Sequence, residues 1–165
     1  MTIYAGTFAA VAASAAQDVF ELVCPATNDF VMCLREVRLG QYSDFGDAEA
    51  ELLSVQIIRG YTTSGSGGST PTKHPLRPWG VPTSLATLEA NNTTVASAGT
   101  AEVLIADSFN VMSGWWYRPP ADERIFLHGT AAADRRLVVR ITVPADAVTL
   151  NGTIVWEEAP SLTGK

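Results

Sequence analysis

The run "RLVVRITV", Arg136 to Val143, leaves its backbone few choices. Leu137, Val139, Ile141 and Val143 fall on one side if successive side chains alternate, and Arg136, Val138, Arg140 and Thr142 on the other. A period of two belongs to a strand with one buried face. The same texture returns in "TIYAGTFAAV", "DVFELVC", "FVMCLREVRLG", "ELLSVQIIRG", "AEVLIADSFN", "GWWYRP", "ERIFLHG" and "TLNGTIVWEE". That makes about nine strands divided by Gly, Pro and Asn punctuation. Strands and helices do not alternate, which disfavours a parallel α/β sheet. The expectation is all-β: an antiparallel β-sandwich of jelly-roll or Greek-key type, with long loops. Residues 1–165 would form one domain carrying an inserted loop at about 60–80.

Local details follow from punctuation. "RLVVRITV" and "TLNGTIVWEE" read as a hairpin turned by Pro144, Ala145 and Asp146. "PATN", Pro25 to Asn28, reads as another hairpin turn, which places Cys24 opposite Asp29 and Cys33 near Phe20. The two cysteines then do not face each other, so two buried, reduced thiols are expected. Helix propensity competes with strand in "AAVAASAAQ" and in "GDAEAELL", the latter started by Asp44 or Asp47.

Composition bounds the partners. The 165 residues are 47% hydrophobic and 17% charged, with 11 basic residues and a formal net charge of −6. A duplex-binding surface is disfavoured by that balance, so no nucleic acid is expected. No apolar run reaches the roughly 20 residues a spanning helix needs, and no membrane partner is expected. No Lys or Arg precedes Arg35, so the Ala-rich start lacks the basic region of a signal peptide. The chain reads as cytosolic when made.

"GYTTSGSGGSTPTKHPLRPWG", Gly60 to Gly80, has the glycines of a phosphate loop and contains Lys73. A Walker loop needs Lys opening a helix, with backbone N–H groups around the phosphates. Pro71 and Pro75 flank Lys73 and oppose both requirements. His128 with Asp107 and a serine makes a triad on paper, without the turn that presents a nucleophile. Two cysteines and the histidines His74 and His128 lack zinc spacing. "DFGDAEAE" holds Asp44, Asp47, Glu49 and Glu51, which a solvated loop explains better than a calcium site. No catalytic residue, metal or cofactor is expected, and the chain does not read as an enzyme.

In "GWWYRPP" a strand would point Trp115 and Tyr117 one way, Trp116 and Arg118 the other. Two readings stay open: a core strand with one aromatic at its rim, or an aromatic–Arg patch for a partner subunit or a sugar.

The phrases "LGQYSDFGDAEAELLSVQIIRGYTTSGSGGSTPT", "EANNTTVASAGT", "SFNVMSGWWYRPPADERIFL" and "LVVRITVPADAVTLNGTIVWEE" resemble, in order and texture, small virion proteins of tailed bacteriophages and prophages. The resemblance runs from about Arg38 to Glu158 and brings no catalytic residues. It implies a head decoration (cement) protein, a virion component on the capsid surface, present in the host cytoplasm before assembly. It further implies a homo-oligomer, a trimer by preference, bound to the major capsid protein. Gly60 to Gly80 would be a reaching arm ordered only against a partner. Interface candidates are Trp79, Trp115, Trp116, Tyr117, Arg118, Lys73 and His74. The alternative is a receptor- or glycan-binding sandwich of a fibre or tail.

Overall fold

A computed structural model describes residues 2–26, 30–42, 52–77, 79–80, 82–143 and 147–160. The nine anticipated strands are all present: β1 (Thr2–Ala13), β2 (Gln17–Val23), β3 (Phe30–Gln41), β4 (Leu52–Thr63), β7 (Ser97–Asn110), β8 (Trp115–Tyr117), β9 (Phe126–His128), β10 (Arg136–Thr142) and β11 (Val148–Pro160). Two short strands, β5 (His74–Pro75) and β6 (Thr87–Glu89), come from segments read as loops. "AAVAASAAQ" is strand as far as Ala13, its alanine propensity overridden by pairing with β11. Most of "GDAEAELL", and the whole acidic run from Asp44 to Glu51, lie outside the described residues.

The pairings nest. β4 pairs with β7, β3 with β8 and β9, β2 with β10, and β1 with β11, all antiparallel. This is one long ribbon, and wrapping it on itself adds two further pairings, β3 with β11 and β4 with β10. A first, six-stranded sheet results in the order β5-β1-β11-β3-β8, with β9 also on β3. A second, five-stranded sheet runs β6-β2-β10-β4-β7. A doubled ribbon rolled into two facing antiparallel sheets is a jelly roll.

Both expected hairpins are overturned by this wrapping. β10 lies in the second sheet and β11 in the first, so "RLVVRITV" and "TLNGTIVWEE" do not pair. Similarly β2 pairs with β10 and β6, while β3 pairs with β11, β8 and β9, so Cys33 is nowhere opposite Phe20. In a nested ribbon these neighbours in sequence cross between sheets. The proposed turn residues Asn28, Pro144, Ala145 and Asp146 lie outside the described residues. Cys24 and Cys33 are nonetheless both free and buried. Burial pushes the Cys24 thiol up to about 11, with the Glu158 carboxylate adding to it.

Between the sheets lies the core. Trp156, Tyr4, Phe20, Leu34, Leu137 and Ile57 are among its fully buried side chains. Tyr4 stacks on Trp156 with centroids 5.9 Å apart, and Phe8 meets Phe20 across the sheets at 5.1 Å. Such ring pairs add about 0.5–1.5 kcal/mol beyond the area they bury. At the open side of the sandwich, Trp115 Nε1 donates to Asp107 Oδ2 at 3.0 Å, tying β8 to β7.

Candidate contact surface

The two sheets treat their outer faces differently. On the second sheet, β2 and β10 turn Asp18, Glu21, Arg136 and Arg140 away from the core. Asp18 and Glu21 are nevertheless fully buried. Two loop segments cover them, joined to each other by bridges at Ser66–Thr94 and Ser69–Ala90. Glu21 accepts from Arg136 Nε at 2.6 Å, from the Gly65 amide at 2.9 Å, from Asn92 Nδ2 at 3.3 Å and from Ser64 Oγ. Asp18 accepts from Arg140 Nε at 2.6 Å and from the Ala96 amide at 2.6 Å. Arg140 also lies 5.0 Å from the Tyr61 ring centroid and donates to the Ala96 carbonyl.

Burial drives the Asp18 carboxyl above its ordinary range, and the hydrogen bonds from Arg140 and Ala96 only partly oppose that. Burial likewise disfavours charge on Arg140, but there its bonds to Asp18 prevail and the guanidinium is held more firmly protonated. Both values rise, which favours a neutral carboxyl and a charged guanidinium, the carboxylate being sealed off while the guanidinium keeps some solvent. A buried charge left unpaired costs several kcal/mol. The ion pairs tie β2 to β10, and the bonds that the same carboxylates accept from Ser64, Gly65, Asn92 and Ala96 bind the loops to the sheet.

The same loops correct the expectation of a free arm. Lys73 Nζ donates to the carbonyls of Ser84, at 3.2 Å, and Ala86. The neighbouring segment is held by Glu158, which accepts from Ser84 Oγ at 2.5 Å, from the Leu85 amide at 3.1 Å and from Trp156 Nε1 at 2.8 Å. Gly60 to Gly80 is thus ordered largely against its own chain, and Lys73 is a fastener within it. Trp79 stands out at 77% exposed, with Leu76 and Leu85 also exposed.

The outer face of the first sheet carries exposed aromatics around the buried Cys33, Glu36 and Val155, and the register places its residues in rows. One row runs Trp116, Arg38, Thr153, Thr7, and the next Glu36, Val155, Ala5, His74. A third runs Phe126, Cys33, Glu157, Ile3. Trp116 is 63% exposed and Phe126 53%. Arg38 pairs with Glu36 and Arg35 with Glu157, so these four charges sum to zero.

The candidates of "GWWYRPP" separate as alternation requires. Trp115 is buried in the core and stacks on the half-buried Tyr117 at 6.0 Å. It is therefore part of the interior and not of an outer patch. Trp116 and Arg118 are exposed. His74 is exposed at the β1 border of the face that carries Trp116. Among the described residues no hydrogen bond, ion pair or ring contact joins Lys73, Trp79 and Trp116 to one another. The paper triad does not assemble, since Asp107 accepts from Trp115 and the Ser108 amide, and His128 Nδ1 meets Thr130. Sequence reasoning missed Phe126, the charge pairs of β3 and the buried acids of β2. Alternation in "FVMCLREVRLG" and "ERIFLHG" was the signal for the first two. Nothing in β2 signals that loops return to cover Asp18 and Glu21.

No protein-family model matches the chain, and no curated protein does. Among solved structures it is similar to a chain of maize chlorotic mottle virus, determined by single particle analysis, at 12% identity and TM-score 0.30, covering 100% of this chain and 96% of that one. It is also similar to the infectious bursal disease virus VP2 subviral particle, at 13% identity and TM-score 0.16, covering 96% of this chain and 42% of that one. A third likeness is to the T13 particle of infectious bursal disease virus, at 10% identity and TM-score 0.16, covering 97% and 40%. Likenesses this weak carry no argument about function, which rests on the chain's own surfaces.

Proposed function

We propose that this chain works by contact: a structural virion protein of a tailed phage, a decoration (cement) subunit that stabilises the head shell and catalyses nothing. One observation carries the reading. The chain's own loops cover β2 and β10 of the second sheet, while the first presents Trp116 and Phe126 exposed on its outer face. Large aromatics on a rigid face are anchors that become buried on association. The sequence resemblance supplies the virion setting: a homo-oligomer, by preference a trimer, seated on the major capsid protein at the capsid surface.

The test is mass spectrometry of purified virions of the source phage. A copy number near that of the major capsid protein is the expected result. Absence from particles would remove the virion reading, and a handful of copies would favour a fibre or tail. The second reading, glycan binding, is favoured by one observation, the exposed Trp116 ring beside Arg38. Retention on a sugar array that is lost in Trp116→Ala would support it.

A further inference from the structure

We propose that the outer face of the first sheet, β1-β11-β3 with β8 and β9, is the surface through which one copy of this chain binds another. Trp116 and Phe126 are the anchors. The inference deepens the contact reading and rests on it only in taking this face to be an interface.

Area is the first argument. Three strands of 12 or 13 residues, β1, β11 and β3, with the three-residue strands β8 and β9, span roughly 680 Å² at about 4.8 Å between strands and about 3.3 Å per residue. A standard-size interface takes about 800 Å² from each partner. The face therefore falls at the small end of the range for a specific complex, with Glu36, Val155 and Cys33 within it already buried.

Charge is the second. The molecule carries −6, so two copies repel wherever their acidic surfaces meet. On β3 and β11 the charges of this face are two guanidinium groups, Arg35 and Arg38, and two carboxylates, Glu36 and Glu157, already paired within one copy, and the exposed Arg118 adds a positive charge two residues past Trp116. Covering the four paired groups desolvates no net charge. A second copy supplies the same alternation, so Arg of one can approach Glu of the other while each keeps its own partner. Between and beside these pairs lie Val155, Ala5 and Ile3, with the two aromatics along one border.

Geometry is the third. Trp116 and Phe126 sit on strands of three residues each, both hydrogen-bonded to β3. Their backbones are held before any partner arrives, which lowers the ordering cost of association.

The test is sedimentation of the purified full chain at about 100 μM, well above the micromolar constants seen at the weak end for interfaces of this size. An oligomer is expected, and Trp116→Ser and Phe126→Ser should each raise its dissociation constant at least about tenfold. Val103→Ser, altering an exposed residue of β7 in the second sheet, should leave it unchanged. Unaltered protein gives a second readout: amide exchange in β8 and β9 should slow as concentration rises. A monomer at that concentration, or an oligomer indifferent to both substitutions, would overturn the proposal. So would exchange at β8 and β9 that ignores concentration. Absence of the protein from virions would sink the virion reading and leave this one standing.

Discussion

Asp18 concentrates the stability question in one side chain. It is fully buried, bonded to Arg140 and to the Ala96 amide, and burial lifts its carboxyl above the ordinary value of 3.8. A raised folded value means the folded state holds its proton more tightly than the unfolded chain does. The stability from that proton is fully present below the unfolded value and is lost as pH rises through the folded one. Asn cannot titrate, so the Asp18→Asn variant lacks this loss. The wild type should therefore lose stability relative to Asp18→Asn as pH rises from about 4 towards neutrality. Urea unfolding of both proteins across that range checks it. The opposite slope would mean that pairing with Arg140 outweighs burial.

At the level of elements, the loops and the edge strand each carry a prediction. "SGSGG" has the composition of a flexible linker, yet a side chain at Gly68 would meet the Ala90 carbonyl oxygen at 2.2 Å, and one at Gly65 the Thr94 oxygen at 2.6 Å. These glycines serve close packing. Gly68→Ala should cost about 1–3 kcal/mol and expose the loop to protease, whereas a true linker would tolerate it; thermal melts and limited proteolysis decide. β7, 14 residues long and paired on one side by β4, is the kind of edge that recruits other strands. Its guards are two register shifts and Asp107, a charge on the inward face of the strand. Hydrogen bonds from Trp115 and the Ser108 amide hold Asp107 below the usual carboxylate range, so it stays charged near neutrality. Asp107→Ala should raise aggregation on mild heating, read by light scattering, and unchanged scattering would show the shifts suffice alone. The contrast between loop and strand explains what was legible. Alternation in "RLVVRITV" says which side chains share a face, so the strands and the split of Trp115 from Trp116 could be read. It does not say which sheet a strand joins, because β10 and β11 are related only by how the ribbon wraps. Nor does it reveal a buried acid such as Glu21, since its cover arrives from residues more than 40 positions away.

For the whole molecule, the wrapping and the charge distribution act together. The roll gives one chain two outer faces, and the loops cover β2 and β10 of the second sheet, while the first sheet carries Trp116 and Phe126 exposed. A body carrying −6 resists self-association over its acidic surface, while the β3–β11 part of the face of Trp116 and Phe126 carries no net charge, its four ionised groups forming two internal ion pairs. Repulsion between copies is then long-ranged and attraction short-ranged and largely apolar. Raising salt from about 0.05 to about 0.5 M shortens the screening length from roughly 14 to roughly 4 Å, which removes the first and spares the second. Self-association should accordingly tighten with salt, measured as a falling dissociation constant in sedimentation equilibrium. Weakening would mean that Arg35 and Arg38 exchange their own glutamates for those of the neighbouring copy, so that salt-sensitive pairs hold the contact. Either slope then identifies which residues of the face to alter next: the aromatics if it tightens, the β3 charges if it loosens.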